Sequence, residues 1–336
     1  MYASYKMRGP PINGTAASAV SEGPAALYWL LLITLAISAD LIAGKYLTGR
    51  IPNIGAILGT GAQRITDKLN RQGRSKGALK IRGILTLLLF IPPLYFLGAA
   101  ANDLSRTSAA TTAIALLAII PILAQRKLWA DHVSLGQKIA TGKVAVDPEA
   151  VAQKSTQDIV LQYSSRFLPS AILLTVGGFA ALLPYQFIVG VVETCVIQNQ
   201  PTGPYFKYVR ILHELVALPL SLVSGFLLGL AHFFVPGTNL HVFWHLSPNK
   251  THTLASQFIP LNIMANGAGL NFLRKEGPKS TLSKESKWIG PQSGRAKLTP
   301  TDMRSIWLVV MVAFGLSLIA LLMLFVFLSV NSINDL

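Results

Sequence analysis

From Phe167 to Val192 the chain carries no charged residue, and Ile211 to Phe234 is a second long apolar run. About 20 apolar residues suffice to cross a bilayer, and both runs qualify. Both are interrupted. Gly177-Gly178 and Pro184-Tyr185-Gln186 lie inside the first, and His213-Glu214 and Pro219 near the start of the second. Glycine and proline free backbone groups that lipid cannot satisfy, so such breaks must face protein or a water-filled cavity. The stretch from Gln157 to Phe234 therefore reads either as a polar pocket at membrane depth or as an ordinary kinked helix pair.

The rest of the chain has the same character. Hydrophobic residues make up 51% and charged residues 13%, which points to a polytopic membrane protein and not to a soluble domain. The net charge of +15 sits almost entirely outside the apolar runs. Basic residues that flank spans fit anionic headgroups and orientation signals, so nucleic acid is not expected as a partner. The lone Cys195 excludes an internal disulfide and any metal cluster built on cysteine.

Residues 1–23 read as a flexible polar tail without the form of a signal peptide, and 24–336 as a single integral membrane domain. Ala25 to Ala43 is a first span, with Tyr28 and Trp29 as interface anchors. Lys45 to Arg82 holds nine basic residues and one acid, Asp67. Its glycines Gly55, Gly59 and Gly61 form no phosphate loop, because no Gly-Lys-Ser/Thr follows. Ile54, Ile57, Leu58, Ile65 and Leu69 recur at helical spacing, which predicts a basic amphipathic helix lying on the membrane. Gly83 to Ala101 is a second span, bent at Pro92-Pro93, followed by a turn over Asn102 to Thr107. Ser108 to Ala124 is a third span. Asp147-Pro148-Glu149 predicts a helix start, with Asp as cap and Pro at the first helical position. The fourth and fifth spans are Phe167 to Val196 and Ile211 to Val235, joined by a short loop over Asn199 to Tyr208. Pro236 to Arg304 is a long loop with nine basic and three acidic residues. Ile306 to Val330 is the sixth span. The expected fold is an all-α polytopic membrane helix bundle of about six transmembrane segments plus amphipathic cytoplasmic helices. The long basic loops follow spans one, three and five, which places them in the cytoplasm, with both termini and the two short loops outside. No internal repeat is visible, and no span carries an acid near its middle, so a transporter is not supported.

Several polar groups stand out. Asp40 near the end of the first span is either an interfacial residue beside Lys45 or part of a site. His213-Glu214 either pairs with Lys207 or Arg210 or faces the pocket. His241, His245 and His252 invite a metal, but no acid completes a zinc motif, and Trp244 beside them fits an interfacial position. In the last loop, Gly290, Pro291 and Gly294 hold a turn that presents Arg295, whose planar fork suits a phosphate or carboxylate. Thr299 or Thr301 is placed to cap a helix containing Asp302.

These residues, taken in order, resemble the adenosylcobinamide-phosphate synthase family, the CbiB/CobD membrane proteins of cobalamin biosynthesis. The resemblance runs from about Ala36 to Val310. Asp40-Leu41-Ile42-Ala43-Gly44 looks like the family's Asp-Leu-x-x-Gly. Asn70-Arg71 through Arg82-Gly83 is similar to its arginine-rich approach to the second span. Gly177-Gly178 through Leu183, then Tyr185, resembles its Gly-Leu-Pro-Gly run and following Tyr. Leu215, Leu218-Pro219 and Gly225 fit loosely around its Asp-Asp segment. Ser247-Pro248-Asn249 and Trp288 to Arg304 match its closing motifs.

The departures are chemical. The family's Glu-Ser-x-x-Glu-Asn becomes Gln157-Asp158-Ile159-Val160-Leu161-Gln162 with Ser165, its Asp-Asp pair becomes His213-Glu214, its Asn becomes Ala217 and its Arg becomes Leu222. A Leu or Gln cannot bind a hard cation as a carboxylate does. The resemblance implies a bacterial inner-membrane protein of cobalamin (vitamin B12) biosynthesis. Its family reaction joins aminopropanol phosphate to adenosylcobyric acid as an amide, giving adenosylcobinamide phosphate. In that reading Asp158, Glu214 and His213 are the catalytic candidates and Asp40, Asn249 and Arg295 bind substrate. ATP and Mg2+ enter only if the family activity is retained, and no metal ligands are assigned. The partners are a bilayer with anionic headgroups and a corrinoid substrate or another membrane subunit. The alternative is a catalytically degenerate paralogue acting as a membrane scaffold or partner subunit.

Overall fold

The computed structural model describes residues 22–47, 54–70, 74–144, 147–197, 203–238, 254–273, 288–291 and 293–334. Among the described residues the fold is all-α apart from one short antiparallel strand pair, β1 (Phe272–Leu273) with β2 (Trp288–Ile289). The helices are α1 (Glu22–Leu47), α2 (Ile54–Leu69), α3 (Lys76–Ser105), α4 (Ala109–Leu123), α5 (Arg126–Ala140), α6 (Pro148–Leu161), α7 (Leu168–Ile197), α8 (Phe206–His232), α9 (Ala255–Ala268) and α10 (Pro300–Asn334). A π-helical segment, Gln162–Phe167, joins α6 to α7. Among the described residues, six helical units are long and apolar enough to cross a membrane: Ala25–Gly44, Lys76–Ser105, Ala109–Ala140, Pro148–Thr194, Phe206–His232 and Pro300–Val330. This is a multi-pass membrane protein. The tail over residues 1–21 lies outside the described residues.

Local chemistry sets the helix boundaries. Ser75 caps α3 by accepting from Ala78 N, and Ser108 with Thr111 forms a reciprocal capping box on α4. Asp147 caps α6 and Pro148 fills its first position, as the sequence predicts. Thr299, not Thr301, caps α10: its Oγ1 accepts from Asp302 N while Asp302 accepts from Thr299 N.

The first three spans alternate as expected. At one end Tyr28 Oη donates to Ser105 O; at the other Asp40 accepts from the start of α5. The fourth does not run straight. Gly178 has φ 60 and ψ −144, a non-helical conformation inside α7, and the chain reverses there. Gln186 Nε2 donates to Ser170 Oγ at 2.9 Å, whereas sixteen residues of straight helix would separate them by about 24 Å. Tyr185 Oη reaches Ser165 O, and Arg166 reaches Glu193, in the same antiparallel register. The outbound arm (Pro148 to Gly177) and the return arm (Phe179 to Ile197) thus form a helical hairpin.

This reversal corrects the expected map from the fourth span onward. The loop expected outside after the fourth span returns to the start of α3. Tyr205 packs its carbonyl against Gly83, and its hydroxyl lies 2.9 Å from Thr86 Oγ1. That loop and the α2–α3 turn therefore share one end of the bundle.

Two more expectations change. The amphipathic α2 does not lie free on a surface. It docks along α3 and the return arm, burying Ala62 and Thr66, and a Cβ at Gly190 would stand 2.7 Å from Gly59 Cα. The long last loop also contains α9, which is buried over most of its length. It runs parallel to α8, meeting Glu214 at Ser256 and His232 at Gly267. The outer surface, carrying Leu85, Leu88, Leu89 and Phe96 on α3, is suited to lipid.

Candidate functional site

The break at Gly178 faces protein. Asn102, on the last turns of α3, donates from Nδ2 to Gly177 O (3.0 Å) and accepts at Oδ1 from Phe179 N (2.7 Å). One side chain thus satisfies both backbone groups that the reversal frees. Trp29 closes the other side: a Cβ at Gly178 would stand 2.6 Å from its ring. Of the predicted turn over Asn102 to Thr107, Asn102 to Ser105 belong to the end of α3, and Arg106 and Thr107 make the turn.

Below the break, polar groups converge from three segments. The π segment is a geometry frequent at functional sites, and within it Ser165 O takes a 2.7 Å bond from Tyr185 Oη. Next to it Arg166 holds Glu193 through Nε and a terminal nitrogen, at 3.1 and 2.6 Å. The side chains of Arg166 and Glu193 are 35% and 41% exposed, so the pair marks where the cluster reaches the surface. Ser165 Oγ is buried without a hydrogen-bond partner. Ala217 of α8 packs on Tyr185 and Val189. His213 lies one turn before it, buried, with Nδ1 3.6 Å from Glu214 Oε1, an ion-pair distance and not a hydrogen bond.

The structure separates the residues that the sequence groups. Glu214 accepts from Ser256 N (3.1 Å) and Ser256 Oγ (2.7 Å), so it caps the N-terminus of α9. Asp40 is buried and its Oδ2 accepts from Gln125 N (2.9 Å) and Arg126 N (3.1 Å). Gln125 supplies no side-chain cap of its own to α5, so Asp40 caps that helix from α1. Gly44 leaves room for this: a Cβ there would stand 2.5 Å from Asp40 Oδ1. Arg126 in turn donates to Leu41 O and Ile42 O near the end of α1. Asp158 is half-buried on α6, just before the π segment. Arg295 is exposed and paired with Asp302 at 3.0 Å beside the end of α9, and its neighbour Ala296 accepts at O from Gln153 Nε2 of α6. Asn249, His241, His245 and His252 lie outside the described residues.

Sequence reasoning did not identify Asn102, the Arg166–Glu193 pair or the Ser170–Gln186 bond. Glu193, an acid directly after the uncharged run, was the available signal, because such an acid needs a partner. Chemically the cluster offers a guanidinium, a phenol and a hydroxyl beside a carboxylate. Among the described residues no three acids, histidines or cysteines stand together; Glu193 holds Arg166 and Glu214 holds Ser256. An apolar cavity of about 310 Å³ lies elsewhere, between α2, α3, α4 and the return arm, and none of these polar residues lines it.

Comparison with known proteins finds similarity to the cobalamin biosynthesis protein CobD of Rhizobium meliloti (strain 1021). The two are 23% identical over 228 residues, covering 62% of this chain and 69% of the relative. This is a distant CbiB/CobD-like relationship. No protein-family model matches the chain, and no solved structure matches it.

Proposed function

We propose that this chain is a CobD-like membrane protein of cobalamin biosynthesis that retains the helical bundle without the synthase reaction, serving as a scaffold or partner subunit. The observation that carries this reading is the use made of two candidate acids. Asp40 and Glu214 each give their carboxylate to the backbone N–H groups of another helix. Forming an amide at the expense of ATP requires phosphate charge to be neutralised and the amine to be positioned. Glu214 gives both oxygens to Ser256 and Asp40 gives Oδ2 to the start of α5, which leaves only the buried Asp40 Oδ1 without a partner. Losing several groups that act as a unit removes nearly all of the rate.

One observation favours the reading in which catalysis survives. The π segment and Tyr185 meet, with Ala217 of α8 packed on Tyr185, where the family's polar motifs fall, and Arg166 lies at the surface of the cluster. In that reading Arg166 grips a phosphate or a corrin carboxylate and His213 with Glu214 handles the proton. Complementation separates the two. In a strain lacking its own synthase, supplied with cobyric acid and grown where cobalamin is needed, the chain is expected to reach the membrane and fail to restore growth. Robust growth would overturn the scaffold reading.

A further inference from the structure

We propose that the cavity between α2, α3, α4 and the return arm of α7 binds one acyl chain of a zwitterionic phospholipid, whose headgroup rests on Arg106 and Asp103. The cavity holds about 310 Å³ and its lining is apolar, with Leu94, Leu97, Leu104, Ile114, Ala118 and Leu183 prominent. The two hydroxyls on its wall do not change this: Ser105 Oγ donates to Asn102 O and Thr111 Oγ1 to Ser108 O. A space with so few polar partners does not hold ordered water. It opens outward, since Leu97 (60%), Leu104 (59%) and Ile114 (66%) are exposed. All three lie on membrane-spanning units, so the medium at the mouth is lipid.

Length and charge identify the occupant. From Leu94 to Leu104 along α3 is about 15 Å at the rise of an α-helix. That is one leaflet of a hydrocarbon core roughly 30 Å thick, and it ends where α3 ends. An acyl chain entering from that leaflet fills the cavity with its headgroup at the α3–α4 turn. Arg106 is exposed there, its guanidinium 5.4 Å from the Tyr28 ring centroid, and Asp103 is exposed on the last turn of α3. A headgroup carrying both phosphate and ammonium satisfies both charges. A purely anionic headgroup would meet Arg106 and be opposed by Asp103.

The test is native mass spectrometry of the purified full chain in mild detergent, offered phosphatidylethanolamine and phosphatidylglycerol with identical acyl chains. One phosphatidylethanolamine is expected to stay bound per chain. Ala118→Phe, which fills the cavity, should lower the bound fraction by at least about tenfold, because each buried methylene contributes to lipid binding. Leu97→Trp, at the exposed mouth, should lower it with less demand on folding. Arg106→Ala and Asp103→Ala, both at exposed positions, should leave the helical content intact and remove the preference between the two lipids. A wild-type chain that keeps no lipid would overturn the proposal. So would equal retention by a folded Ala118→Phe and Leu97→Trp, or a preference for phosphatidylglycerol that Asp103→Ala leaves unchanged.

Discussion

Single side chains decide whether the hairpin forms. Gly178 occupies a backbone region almost reserved for glycine, and Trp29 fills the space that a Cβ would need. Gly178→Ala is therefore expected to abolish folded, monodisperse protein on size-exclusion chromatography. Asn102 offers a graded test. Asn102→Leu keeps the bulk but orphans Gly177 O and Phe179 N, at about 1–3 kcal/mol for each buried group left unpaired. Thermal unfolding in detergent should show the loss, and an unchanged midpoint would mean that the break is satisfied some other way. Glu214 distinguishes packing from chemistry. Glu214→Gln keeps an acceptor for Ser256 and should leave stability within a few tenths of a kcal/mol, while Glu214→Ala costs about 1 kcal/mol, as lost caps do. A Gln variant as unstable as Ala would show that the charge itself matters. The sequence made the glycine pair conspicuous but not its partner. Asn102 is an ordinary polar residue beyond an apolar run, and only the reversal gives it a role.

At the level of elements, periodicity and capping were the legible signals. The ends of α6 and α10 follow from Asp147-Pro148 and Thr299 with Asp302, and the apolar runs locate the spans. What composition could not show was α9. Its sequence mixes Ser256, Asn262 and Asn266 with apolar residues and is only 14 residues long, too short to cross a bilayer, so it reads as part of a polar loop. Burial among other helices, not lipid, is what it is suited to, and its polar groups bond within the bundle: Asn266 Nδ2 donates to Asn262 O and Ser256 to Glu214. The π segment was hidden for a similar reason, since an extra residue in a helical turn leaves no mark in hydropathy. The α8–α9 contact makes α9 testable. His232 is buried with its ring against Gly267, in space that any Cβ at that position would occupy. Gly267→Ala should destabilise by about 1–3 kcal/mol, the usual cost of overpacking, and the smaller His232→Ala should relieve it in the double variant. Additive losses would mean that the two residues do not touch.

For the whole molecule the consequence is one of sides. Charge counting across the loops assumes that each apolar run crosses once, and under that assumption the short loop before α8 lies opposite the basic loops. The hairpin removes the assumption for the fourth run, because a chain that reverses at Gly178 returns to the end from which it came. Two separate contacts agree: Arg166 with Glu193 across the arms, and Tyr205 with Gly83 and Thr86 at the start of α3. Residues packed together cannot sit on opposite faces of a bilayer. Single cysteines at Ser75, Ser134 and Gly203, introduced into a Cys195→Ser background, should therefore share one pattern of reactivity with an impermeant thiol reagent. If the basic segments are cytoplasmic, as their lysines and arginines favour, all three should be protected in intact cells and labelled in inverted vesicles. Labelling of Gly203 from outside, with Ser75 and Ser134 protected, would restore a single straight crossing and dissolve the hairpin. The same labelling of all three from outside would keep the hairpin and reverse the orientation. The experiment thus tests the fold and the charge rule independently.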